Sequence, residues 1–103
     1  MQNENDLIND AFGDDLRTAT TEVLEEQGFG NVRVNDVQPE IDSDRYVVGL
    51  TERTGPNTSK YHAFRIDSAE ALIAVHGGHI TVESLKPLVL REVLRLFPAE
   101  VAV

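Results

Sequence analysis

Cysteine is absent from this chain of 103 residues, which rules out disulfides and thiolate metal sites and leaves the redox compartment open. Tryptophan is absent as well, and lysine nearly so, with only Lys60 and Lys86 present. No apolar run approaches the roughly 20 residues needed to span a bilayer, so no membrane partner is expected. The first residues, Met1 to Asp6, are acidic and polar, the opposite of a secretion signal. The expected location is therefore cytoplasmic or virion-associated. Internal repeats and low-complexity tracts are also missing, and the length suits one domain with a modest core.

What the chain has in abundance is acid. Eighteen Asp and Glu side chains stand against nine Lys and Arg, a net charge of −9. An acidic, lysine-poor chain with few large aromatics suits a cytosol at molar salt, where the Debye length falls to about 3 Å and carboxylates hold water. A halophilic archaeon or its virus is the expected source. The same charge also fits an ordinary acidic bacterial or phage protein, or one that mimics DNA. The acid is unevenly spread. Residues 1–26 carry eight carboxylates and one cation, Arg17, whereas between Arg45 and Arg65 four cations face Glu52 alone.

The clearest structural signal is a β-hairpin from Asp44 to Asp67. Tyr46, Val48 and Leu50 alternate with Val47, Gly49 and Thr51, and Phe64 and Ile66 alternate with Ala63 and Arg65. Thr54-Gly55-Pro56-Asn57-Thr58 supplies a loop, predicted to close at Arg53 and Ser59. That register sets Val48 opposite Phe64, Tyr46 opposite Ile66, Leu50 opposite His62, and Glu52 opposite Lys60 as an ion pair. A slip by one residue would expose half the apolar set, so the pattern specifies its own pairing. Asn31 to Val37 adds a strand with Val32 and Val34 on the same inner face.

Helices are predicted on either side. From Asp14, residues Leu16, Ala19, Thr20, Val23 and Leu24 recur at helical spacing, and Gly28 ends the helix with Phe29 folding back on Leu24. Residues 1–13 form a polar segment with a short helix that Gly13 interrupts. Glu22, Glu25 and Glu26 are expected to point outward as solvated charge. Asp67 or Ser68 caps a further helix ending at Gly77-Gly78, with Glu70 placed for a capping box. A hairpin over residues 72–83 is the rival, and alanine content and the cap favour the helix. A last helix, Ser84 to Phe97, has Ser84 as N-cap and Pro87 in its first turn. The expected class is α+β, a two-layer domain of one helix, a three-stranded antiparallel sheet and two helices. It spans residues 14–97, and residues 98–103 form an apolar tail. In outline the helix, three strands, helix order resembles a double-stranded RNA-binding domain. That family's Lys-Lys run opening the second helix is replaced here by Asp67-Ser68-Ala69-Glu70, so the resemblance implies no function.

Catalytic signals are weak. The serines sit at loop or cap positions, with no Gly-x-Ser-x-Gly elbow. Gly28-Phe29-Gly30 follows a helix and lacks the third glycine of a phosphate loop. His62, His76 and His79 are the only metal or proton-transfer set, and Gly77-Gly78 between the last two serves a turn more simply than a zinc site. No enzyme, metal, cofactor or small-molecule substrate is expected.

Two surfaces stand out as contact sites. The outer sheet face gathers Arg33, Arg53 and Arg65 around Tyr61, over a shallow floor at Gly49 and Ala63. Arginine forks there suit a partner's carboxylates, copies of the acidic helix, the chain's own acidic loop at Pro39 to Asp44, or a phosphate backbone. The last helix carries apolar residues around half its circumference, so Leu90, Leu94, Phe97, Val101 and Val103 are candidates for self-association. The expected function is a non-catalytic assembly or adaptor protein working through protein contacts, such as a virion or small-complex component. The alternative is an acidic inhibitor, a DNA mimic or immunity-type protein, occupying a partner's basic site. Third is a nucleic-acid-binding module using the outer face, which the net charge opposes.

Overall fold

The computed structural model describes residues 4–76 and 78–98, with side chains from residue 11 onward. Its elements run α1 (Glu4–Glu26), β1 (Val32–Pro39), β2 (Arg45–Gly55), β3 (Thr58–Asp67), α2 (Ser68–Ala74) and α3 (Val82–Leu96). This is the αβββαα arrangement expected from the sequence. The three strands form one antiparallel sheet in the order β1-β2-β3. Helices α1 and α3 pack side by side on its inner face, α1 against β1 and α3 against β3.

The first helix differs from expectation by running unbroken through Gly13. Phe12 explains this. Its ring lies 4.7 Å from that of Tyr46, continuing the stripe of Leu16, Ala19, Thr20 and Val23 by one more turn. Glycine in a helix interior costs about 1 kcal/mol. Burying a phenylalanine contributes about 1.5–3 kcal/mol, so the helix continues. At the other end Gly28 takes φ +80, Phe29 N–H donates to Leu24 O at 2.9 Å, and Gly28 N–H donates to Glu25 O at 3.1 Å. That is the left-handed termination read from the sequence.

The hairpin register is also as read, with Val48 opposite Phe64, Tyr46 opposite Ile66 and Leu50 opposite His62. The loop is tighter than expected. Gly55 pairs again with Thr58, leaving Pro56-Asn57 as the turn, and the irregularity falls at Thr54. Glu52 does lie opposite Lys60, yet its carboxylate goes instead to His62 Nε2 at 2.9 Å. His62 is half-buried beside Phe97, with ring centroids 4.7 Å apart, so the pair sits at the edge of the core.

β1 contains a bulge that the alternating pattern did not anticipate. Val34 pairs with Leu50 but Asp36 pairs with Gly49, which leaves Asn35 as the extra residue. The phase shift turns Val37 inward opposite Val48 and sends Asp36 to the outer face.

Asp67 caps α2, its carboxylate accepting from Ala69 N–H at 2.8 Å, so the helical reading of this stretch holds and the rival hairpin does not form. Residues 79–81 join no strand. The last helix starts three residues earlier than expected. Thr81 is its N-cap, in a reciprocal box where Ser84 N–H donates to Thr81 Oγ1 at 3.1 Å and Thr81 N–H donates to Ser84 Oγ at 2.8 Å. Pro87 therefore lies inside the helix rather than in its first turn. Its missing N–H leaves the Glu83 carbonyl without a helical partner, at a position open to water.

Candidate functional site: the outer sheet face and the grooves beside it

On the outer face the pairing brings Asn31 and Arg53, then Arg33, Thr51 and Tyr61, then Asp36, Gly49 and Ala63, into successive rows. Arg33 and Arg53 are thus diagonal neighbours on adjacent strands, close enough to act together. They line a groove of about 490 Å³ with Gly30, Asn31 and the hairpin turn from Gly55 to Ser59. Asn31 clamps the strand from below: its Nδ2 donates to Arg53 O at 3.2 Å, and Arg53 N–H donates to Asn31 O at 2.8 Å. Arg53 Nε turns toward Gly55 O at 3.4 Å, which aims its guanidinium at the turn.

Tyr61 and Arg65 lie on the same face but are engaged within the chain. Arg65 Nε donates to Glu40 Oε2 at 3.1 Å, neutralising part of the acidic loop. Tyr61 Oη donates to Asp36 Oδ1 at 3.4 Å, and the two side chains meet directly over Gly49. The expected open floor is therefore occupied at Gly49. Any Cβ there would collide with the Tyr61 hydroxyl and the Asp36 carboxylate, so glycine is required by their approach. Loss of water around the hydroxyl, and then the neighbouring Asp36 carboxylate, push the Tyr61 pKa above its ordinary value.

A second groove, about 390 Å³, runs between α1 and the free edge of β1. Leu24, Phe29 and Val34 line it, with Arg17, Arg33 and Glu25 among the residues around them. Arg17 Nη2 donates to Asn35 O at 3.5 Å across this edge, and Asn35 Nδ2 donates to Thr51 Oγ1. The two grooves share Gly30 and Arg33 and so meet around the start of β1.

The charge arrangement differs sharply between layers. Lys86 is held by Glu26 at 2.8 Å and by Glu22 and Glu83 at 3.1 Å, and these hydrogen bonds hold its ammonium well above the usual lysine range. Glu22 and Glu26 thus tie α1 to α3, where the sequence suggested only solvated charge. Arg91 meets Glu70 at 2.5 Å and Glu92 at 3.3 Å, and Arg95 meets Glu92 at 2.8 Å. Among the described residues no carboxylate lies within ion-pair distance of Arg17, Arg33, Arg45, Arg53 or Lys60.

The residues expected to mediate self-association through the last helix are dispersed. Phe97 packs on His62 and lies 5.4 Å from the Phe29 ring, closing the hairpin end of the core. Leu90 is half-buried in a shallow cleft with Val23 and Pro87, and Leu94 is 41 % exposed. Val101 and Val103 lie outside the described residues. Leu88 packs against the core. The broad apolar surface of α3 is shared among α1, α2 and β3, and Leu85, Val89 and Val93 are fully buried.

His76 and His79 are exposed, and no group of three His, Asp or Glu residues able to hold a metal occurs among the described residues. Sequence reasoning missed three surface features: the Asp36–Tyr61 contact, Ile41 at 88 % exposure, and the exposed Leu72 and Ile73 of α2. Only the first had a legible signal, the three-residue step from Val34 to Val37 that breaks alternation. No helix among the described residues is long and apolar enough to cross a membrane. Searches found no protein-family model, curated protein or solved structure that matches this chain.

Proposed function

We propose that this chain is a non-catalytic assembly or adaptor protein that works through protein contacts on its outer sheet face, as a virion or small-complex component of a halophilic archaeon or its virus. One observation carries the reading. In a protein of net charge −9, every lysine and arginine of the helices α2 and α3 is ion-paired, yet Arg33 and Arg53 line a groove with no carboxylate beside them among the described residues. Two guanidinium groups with no carboxylate in reach among the described residues are available for a partner's acidic side chains, and the fork geometry of arginine favours bidentate capture. The negative charge of the whole works against nucleic acid as that partner.

Cross-linking in cell extract at native salt, read by mass spectrometry, tests this with wild type and Arg33→Glu/Arg53→Glu. Protein cross-links lost in the double variant are expected. Recovery of nucleic acid instead would overturn the reading. Capture of a basic protein that ignores the double variant would point to an acidic inhibitor.

A further inference from the structure

The two ends of β1 carry complementary surfaces, and from them we infer that copies of this chain associate head to tail, the Ile41 loop of one seating in the α1–β1 groove of the next. The inference rests on the proposed role of the arginine-lined surface in protein contacts, and names a second copy as the partner.

The loop between β1 and β2 is a formed projection. Glu40 N–H donates to Arg45 O at 2.9 Å, Arg45 N–H donates to Ser43 Oγ at 2.9 Å, and Asp42 takes φ +58. Ile41 stands out of it at 88 % exposure. Asp42 and Asp44 follow that isoleucine in the loop, and neither has a cation within ion-pair distance among the described residues, whereas Glu40 before it is taken by Arg65. A single exposed apolar residue is ordinary. One followed in the same loop by two unpaired carboxylates complements an apolar socket edged by arginine.

That socket lies at the other end of β1. Leu24, Phe29 and Val34 give it an apolar lining, and Arg17 and Arg33 stand around them with no carboxylate within ion-pair distance among the described residues. Glu25 lines the same groove, so two cations there face one carboxylate. Arg53 continues the cationic surface into the adjoining groove. The chain cannot fill its own socket, because eight strand residues at about 3.3 Å each put the loop roughly 25 Å from it. The contact is therefore heterologous. Each copy keeps one free end, and rings or open chains result.

Sedimentation velocity on the full chain, across a wide concentration range at low and molar salt, tests the inference. The wild type should associate as concentration rises. Ile41→Asp and Arg17→Glu/Arg33→Glu should each weaken this at least about tenfold while keeping a native circular dichroism spectrum. Mixing the two variants is the decisive measurement. Each retains the end the other has lost, so together they should form a heterodimer that grows no further. A wild type that stays monomeric at every concentration overturns the inference, as does a mixture that forms no dimer or an Ile41→Asp that associates normally. Should the wild type stay monomeric while Arg33→Glu/Arg53→Glu still loses cross-links to a different protein, self-association fails and the contact role stands.

Discussion

Between α1 and α3, one ammonium is shared by three carboxylates; across the sheet, two guanidinium groups share a groove with none. The cations of α3 all pair with carboxylates of the helices. Lys86 bridges the ends of two helices that would otherwise bring Glu22, Glu26 and Glu83 together unscreened. Arg91 ties α3 to the short α2 through Glu70. On the outer face, among the described residues, only Arg65 has a carboxylate partner, and it serves the adjacent loop. The comparison separates charge that holds the helices to one another from charge left facing outward. It also shows why net charge alone is a poor guide to a surface: two carboxylates of the most acidic segment, Glu22 and Glu26, converge on a single lysine.

The two faces of the sheet should respond oppositely to an introduced carboxylate, and this is the largest expected effect. Val48→Asp would bury an unpartnered charge at a fully enclosed position, at a cost of several kcal/mol against a total stability of about 5–15 kcal/mol. It should unfold the domain. Thr51→Asp, opposite Arg33 on the outer face, should keep the fold. Circular dichroism reads both, and equal damage would mean that the outer face is covered too.

Gly49 offers a sharper version on the outer face alone. Gly49→Ala should cost about 1–3 kcal/mol, because its methyl group overlaps the Tyr61–Asp36 contact. In a Tyr61→Ala background the same substitution should cost less, by at least about 0.5 kcal/mol, in a double-mutant cycle from urea melts. Equal costs in the two backgrounds would show that Tyr61 does not rest on Gly49.

Salt should stabilise the whole. With carboxylates outnumbering cations two to one, screening relieves more repulsion than it weakens attraction. Between 0.1 and about 3 M KCl, we expect a gain of about 1 kcal/mol, or about 4–8 °C in Tm for a domain of this size. A flat or falling Tm would count against a halophilic origin.

The smallest effect concerns Glu70. Arg91 donates hydrogen bonds to this carboxylate and holds its pKa below the ordinary value. A folded-state pKa below the unfolded one contributes stability above about pH 4.3, and that stability is lost as pH falls through the folded value. Both side chains are substantially exposed, so the contribution is no more than about 1 kcal/mol. Glu70→Gln should therefore lower stability slightly at neutral pH and make the acid limb of a Tm–pH curve shallower. Identical acid limbs would show that the pair is not formed in solution.

Local pattern determined a good deal of this molecule. Alternation in Tyr46–Thr51 and Ala63–Ile66 dictated faces and register together, since a slip by one residue would have buried Arg65 or exposed Val48. Helical spacing from Leu16 to Leu24 and the left-handed stop at Gly28 were equally local, as was the Asp67 cap. The outer-face arginines were legible as a set because strand alternation places Arg33, Arg53 and Arg65 on one side. Tertiary structure decided what these local rules leave open. Gly13 stays helical because Phe12 finds Tyr46, a partner more than thirty residues away. Glu52 meets His62 rather than Lys60, on a histidine that Phe97, from the far end of the chain, packs against. Which cations remain free depends on where the carboxylates of other elements arrive: among the described residues Glu40 reaches Arg65, none reaches Arg33 or Arg53, and three reach Lys86. Periodicity is set by backbone geometry within a few residues, whereas charge pairing depends on through-space distances between segments, and those exist only once the chain has packed.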